Sequence, residues 1–209
     1  MGVQDRRRMR PATLAAIAAL ALGAGALSGC DGAEENGASG FTAGFIASGT
    51  LPEIGRVRIE KSFSTDRRVD LRVVIDGPDT SLDLYAFAFD LVLSNPAVAK
   101  FVEGSASAGD ALQAFAGQDV SVIATQNGSR VVVGVTKNGG PPGNGVASAK
   151  ATVVNLSFDI LSAGTCALAF SGSPGNPQNP VLDPTALNPA DAEILEVRFD
   201  DLPSYLTGD

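Results

Sequence analysis

The 209-residue chain has no histidine and no tryptophan, and only two cysteines and two tyrosines. Without histidine, Ser–His and Cys–His nucleophiles and His-ligated metals are excluded. Without tryptophan, a flat platform for stacking sugar rings lacks its largest side chain. Cations are also scarce, 15 Lys and Arg against 23 Asp and Glu, a net charge of −8. Such a surface repels phosphate backbones, so no nucleic-acid partner is expected. A carboxylate pair is one catalytic device still open to this composition. Yet Asp90, Glu103, Asp110, Asp159, Glu193 and Glu196 are scattered along the chain and read as solvated surface or loop caps. No Walker loop, dinucleotide fingerprint or EF-hand spacing occurs, and the Gly-rich run Asn138–Gly145 (NGGPPGNG) lacks the Lys and helix that phosphate binding needs. The pairs Asp76/Asp79 and Asp183/Asp191 offer calcium-type oxygens but read as turn residues. The expectation is a protein without catalysis, cofactor or metal.

What the chain does have begins with an address. Arg6, Arg7, Arg8 and Arg10 form a basic start, Ala12 to Leu27 is an apolar Ala/Leu run, and Leu27-Ser28-Gly29-Cys30 closes it. The order is that of a secretory leader, too short and too Ala/Gly-rich for a membrane span. Its last four residues resemble a bacterial lipobox, which implies that Cys30 is acylated and becomes the first mature residue; an ordinary signal peptide is the plainer alternative. Several acyl chains on one cysteine would anchor the protein stably. Cleavage before Cys30 removes four Arg and one Asp, leaving 11 basic and 22 acidic side chains and a net charge of −11. With Cys30 acylated, Cys166 has no intrachain partner and reads as a small core residue. The expected product is exported and lipid-anchored at the cell membrane or outer membrane. It comprises a leader over 1–29, a spacer over 30–54, a folded domain over 55–201 and a tail over 202–209.

The domain reads as strands. Residues 82–93, LDLYAFAFDLVL, place Tyr85, Phe87, Phe89, Leu91 and Leu93 on one face and Ala86, Ala88, Asp90 and Val92 on the other. Period-two alternation marks a strand with one buried and one open face, and Asn95-Pro96 ends it. Val57, Ile59 and Phe63 alternate in an earlier run, and Val69, Leu71, Val73 and Ile75 in the next. After Pro96 one helical turn is expected over Ala97–Phe101. Gln126-Asn127-Gly128-Ser129 joins two strands, Val120–Thr125 and Arg130–Thr136, as a hairpin. Residues 138–145 are expected as a loop without ladder. Strands come next over Ala151–Ile160 and Cys166–Phe170, then an irregular loop over Ser171–Asn188 and a last strand over Glu193–Phe199. Few helical signals and frequent turn chemistry describe an all-β sandwich.

With the strands placed, three runs resemble the cohesin family in order: Tyr85–Gly104, Arg130–Ile160 and Pro180–Ile194. The first is similar to an aromatic-rich strand followed by a Pro turn. The second resembles a strand, a Gly-rich loop and a strand with an apolar-polar-Phe ending, and the third resembles the loop into the final strand. The resemblance implies an antiparallel jelly-roll β-sandwich of about nine strands that binds dockerin modules through one sheet face. Phe89–Pro96 carries one residue more than the family's usual spacing, which implies a bulge or shifted register there. In the chain's own strand the open face holds Ala86, Ala88 and Asp90, the candidate partner-binding residues. Three readings remain: a dockerin-like protein partner, a polysaccharide, or an envelope structural or adhesion unit with no dedicated ligand.

Overall fold

A computed structural model describes residues 40–113, 119–171 and 183–209. Within them the chain forms β1 (Ala43–Ile46), β2 (Arg56–Ser64), β3 (Arg68–Asp76), β4 (Asp79–Leu84), β5 (Ala86–Leu93), β6 (Ala99–Phe101), β7 (Ser107–Ala108) and β8 (Val120–Asn127). Then come β9 (Arg130–Lys137), β10 (Asn144–Val146), β11 (Lys150–Ile160), β12 (Gly164–Phe170), β13 (Thr185–Leu187), β14 (Arg198–Phe199) and β15 (Ser204–Gly208). A seven-stranded sheet runs β1-β15-β12-β5-β9-β8, with β13 also on β5. A six-stranded sheet runs β14-β2-β3-β11-β6, with β7 also on β11. β4 and β10 form a separate pair. This is the expected all-β sandwich. It has more segments than nine because some strands are interrupted and resume on the same neighbour: β12 and β13 both lie along β5, and β6 and β7 both lie along β11. All pairs are antiparallel except β14 with β2, which is parallel.

The core is made by the alternation read in the sequence. Phe87, Phe89, Leu91 and Leu93 from β5, and Val131, Val133 and Val135 from β9, face Val69, Leu71, Val73, Ile75, Leu156, Phe158 and Ile160 of the other sheet, all buried. Residues 82–93 are nevertheless two strands. Leu82 and Leu84 are buried in β4, whereas the odd residues are buried in β5. The phase changes at Tyr85, whose N–H donates to the Leu187 carbonyl at 2.9 Å and whose carbonyl accepts from the Lys137 N–H at 3.0 Å. Tyr85 is therefore half-buried in the connection, not packed inward.

Bulges occur elsewhere than expected. β5 keeps unbroken register with β9 from Ala86↔Thr136 to Val92↔Arg130. The irregularities among the described strands fall between Lys61 and Phe63 in β2, between Asn144 and Val146 in β10 and between Thr152 and Val154 in β11. An extra residue turns the remainder of its strand to the other face, so Phe63 lies opposite Asp70 and is exposed instead of joining Val57 and Ile59.

The domain boundaries also differ from the sequence reading. Residues 43–46, assigned to the spacer, form β1, and residues 204–208, assigned to the tail, form β15 between β1 and β12. Leu206 is fully buried, so SYLTG is an alternating strand whose brevity hid it. The turn at Pro96–Val98 leads into strand β6 rather than a helix, with Val98 and Phe101 buried as expected. Asn144–Val146 pairs with β4 inside the expected loop, and Thr185–Leu187 pairs with β5 inside the second. Residues 172–182 of that second loop lie outside the described residues. Of the expected last strand, Arg198 and Phe199 form β14, Glu193 makes an isolated antiparallel bridge with Leu187 beside the Ile194 N–H bond to the Ala186 carbonyl, and the Val197 N–H closes a turn on the Ile194 carbonyl.

Candidate functional site

Because β5 lies near the middle of the seven-stranded sheet and buries its odd residues, Ala86, Ala88, Asp90 and Val92 face outward. The register adds Val132, Gly134 and Thr136 from β9, and Ile123 from β8. On the other side come Ala167 and Ala169 from β12, Tyr205 from β15 and Ile46 from β1. Ile123 is 70% exposed, Ile46 57% and Val132 44%, and Ala86, Ala88, Gly134, Ala167 and Ala169 on the same face are small. One charge pair interrupts this surface. Arg130 Nη2 sits 2.7 Å from Asp90 Oδ2, off the hydrogen-bonding direction, and Arg130 Nε has no acceptor. The structure thus brings Ala86, Ala88 and Asp90 together on one open face. Sequence reading missed Ile123, Val132, Arg130 and Tyr205, although the hairpin register around Gly128 placed the first three within reach. Tyr205 was assigned to a tail and could not be placed.

The outer face of the six-stranded sheet has the opposite character. Glu60 pairs with Arg58 at 2.6 Å, Arg72 at 2.9 Å and Lys150 at 2.8 Å. Arg58 also forms a two-point contact with Asp76, and Arg68 pairs with Asp159 at 2.8 Å. Burial pushes the Glu60 carboxyl up, but the hydrogen bond from Lys150, the charges of Arg58 and Lys150 and the bond from Arg72 outweigh it, leaving its pKa below the ordinary value. These cations are occupied by carboxylates of their own sheet, so this face is internally satisfied.

Several other acidic residues hold turns and strands. Glu103 accepts the Gln126 N–H and Asp110 the Thr152 N–H. Asp76 is held by Arg58, and Asp79 accepts the hydroxyl and N–H of Ser81, which lower its pKa. Asp191, at φ 58°, sits in a turn closed by the Asn188 carbonyl. Among the described residues no three His, Cys, Asp or Glu side chains are grouped to hold a metal ion. Glu193 and Glu196 meet Asp83 on a shallow hollow of about 250 Å³, where Asp83 is engaged by the Gly143 N–H. Cys166 is buried as a free thiol. Cys30 lies outside the described residues. No helix among them is long and apolar enough to cross a membrane.

No protein-family model and no curated protein matches the chain. Solved structures do resemble it. A non-cellulosomal cohesin from Archaeoglobus fulgidus is 12% identical, with 76% of this chain and 84% of that chain covered and a TM-score of 0.40. A type II cohesin domain from the cellulosome of Acetivibrio cellulolyticus is 12% identical, with 75% and 95% covered and a TM-score of 0.49. A type II cohesin–X–dockerin complex from the same organism is 11% identical over 69% of this chain and 92% of that one, with a TM-score of 0.43. Each is a likeness in fold at low identity.

Proposed function

We propose that the chain is a non-catalytic, lipid-anchored binding module of the cell envelope, and that it recognises a dockerin-like protein module through the outer face of the seven-stranded sheet. The observation that carries this reading is the contrast between the two faces. The six-stranded sheet covers most of its outer face with paired charges, although Phe63 stands exposed there, whereas the other presents Ala86, Ala88, Gly134, Val132 and Ile123 around one imperfect ion pair, Asp90–Arg130. A flat apolar centre with few charges is suited to close contact that excludes water, and the central charge pair would set register and partner choice. The dockerin-like class of partner comes from the sequence resemblance over Tyr85–Gly104 and Arg130–Ile160.

Ala88→Arg places an unpaired charge in the middle of this face without touching the core. It is expected to weaken capture of dockerin-like modules at least about a hundredfold while leaving the melting temperature within about 2 °C. Capture of such modules by the variant at wild-type strength would remove the proposed face. A polysaccharide is the second reading, favoured by Tyr205 standing on the same face beside Ile46. A glycan array separates the two: retention of a defined sugar, lost in Tyr205→Ala, with no dockerin-like module bound, would put carbohydrate first.

The anchor rests on Leu27–Cys30. Metabolic labelling with a clickable palmitate is expected to mark the wild-type protein and to vanish in Cys30→Ser; persistent labelling of the variant would rule out acylation at Cys30.

A further inference from the structure

A strand at the end of a sheet leaves every second backbone N–H and C=O unpaired, and proteins blunt such edges with short strands, charges, prolines or bulges. The other sheet ends of this chain are blunted. β1 has four residues, β14 has two, and β6 has three with Lys100 in its middle. β8 has none of these defences. Its sequence, VSVIATQN, runs for eight residues without a charge or a proline, and its ladder with β9 has no register shift.

The hairpin fixes which groups look outward. Asn127 pairs with Arg130 across the turn at Gly128, so the odd residues of β8 bond to β9 and the even ones direct their N–H and C=O away from the sheet. Gln126 has this phase: its N–H donates to Glu103 Oε1 at 2.8 Å, which closes the C-terminal end of the edge. Nothing among the described residues hydrogen-bonds to the outward groups of Val122 and Ala124. β7 of the other layer lies beside β8 but is paired to β11. Between these two residues Ile123 points to the open face and is 70% exposed.

We propose that this edge pairs with the same edge of a second copy of the chain, antiparallel across a two-fold axis at Ile123. Val122 then lies opposite Ala124 of the partner subunit, and each such pair exchanges both of its N–H···O bonds. Ile123 meets Ile123 of the partner subunit at a non-hydrogen-bonded position, where side chains come closest. Centring the axis on Val122 instead sets Ile123 against Ser121 of the partner subunit, a poorer match. The occupant is another copy because the edge is its own complement: under the two-fold, donors meet acceptors and the exposed isoleucine covers itself. β8 itself brings no carboxylates together, although each chain carries a net charge of −8. The pairing does not depend on the sheet-face reading; it joins two seven-stranded sheets with their open faces side by side.

Cysteine cross-linking of the purified full chain tests both the contact and its register. The wild-type chain, with Cys30 and the buried Cys166, supplies the background. Under a copper–phenanthroline oxidant, Ile123→Cys is expected to give at least about tenfold more disulfide-linked dimer than Ser121→Cys or Thr125→Cys, because only position 123 meets its own copy within disulfide reach. The double variant Ser121→Cys/Thr125→Cys should restore the cross-link, since position 121 lies opposite position 125 of the second copy. All three positions are exposed, so each variant should melt within about 2 °C of wild type. Equal cross-linking at the three single positions would reveal random collision, and none at 123 an unpaired edge; either result overturns the inference. Cross-linking at 123 without recovery in the double variant would place the contact outside an antiparallel ladder and overturn it as well.

Discussion

Arg58→Ala is expected to remove about 3–5 kcal/mol of stability. Arg58 Nε and Nη2 donate to the two oxygens of Asp76 at 2.8 and 2.9 Å, and the Asp76 side chain is only 3% exposed. The hydrogen bond with Asp76 holds the guanidinium pKa above its ordinary value. Truncating Arg58 leaves a carboxylate where water has little access, and the remaining donor, the Glu53 N–H, is distant at 3.4 Å. The large cost belongs to the stranded carboxylate, not to the net worth of the pair. Replacing both residues, as Arg58→Met with Asp76→Leu, is therefore expected to cost far less than the single change. Urea denaturation of the three variants checks this. A loss below about 1 kcal/mol for Arg58→Ala would show that Asp76 is not dependent on it.

Phe89→Ala is expected to cost about 3–5 kcal/mol. The Phe89 ring lies 5.4 Å from that of Phe170 in an edge-on arrangement and 5.8 Å from Phe199, and Phe170 and Phe199 are 5.1 Å apart. Phe199 belongs to the six-stranded sheet and the other two to the seven-stranded one, so this triad joins the layers. Removing one of its three rings leaves a cavity between the sheets that neither can close alone. The flanking change Ala88→Ser, one residue away on the same strand, points outward and should stay within about 0.5 kcal/mol. Equal losses at 88 and 89 would mean that the strand's faces are assigned wrongly.

The same strand shows how much of the molecule is legible in its sequence. The period-two pattern from Ala86 to Leu93 depends only on side-chain order, and it correctly sends Phe87, Phe89, Leu91 and Leu93 inward and Ala86, Ala88 and Asp90 outward. It overruns at its start, because Leu82, Leu84 and Phe87 are all buried and composition does not show that the phase changes at Tyr85. Phe63 is misplaced for a related reason: a bulge shifts facing by one residue and leaves no compositional trace. β1 and β15 escape a sequence reading because four- and five-residue strands acquire their character from pairing with each other. That pairing also sets the limit on the candidate site. Ile46 and Tyr205 share the open face only because β1 meets β15, a contact between residues at opposite ends of the domain. The hairpin at Gly128, by contrast, is local, and its register brings Ile123, Val132 and Gly134 alongside Ala88 as a sequence-level hairpin would require.

Which of the two faces meets the partner decides between these readings of the molecule. Backbone amide shifts of the isotopically labelled chain, monitored as a captured dockerin-like module is titrated in, report this directly. Changes concentrated at Ala88, Asp90, Ile123, Val132 and Gly134, with Arg58, Glu60, Arg72 and Lys150 unmoved, are the predicted result. Changes centred on the Glu60 network, with the β5–β9 face silent, would contradict it.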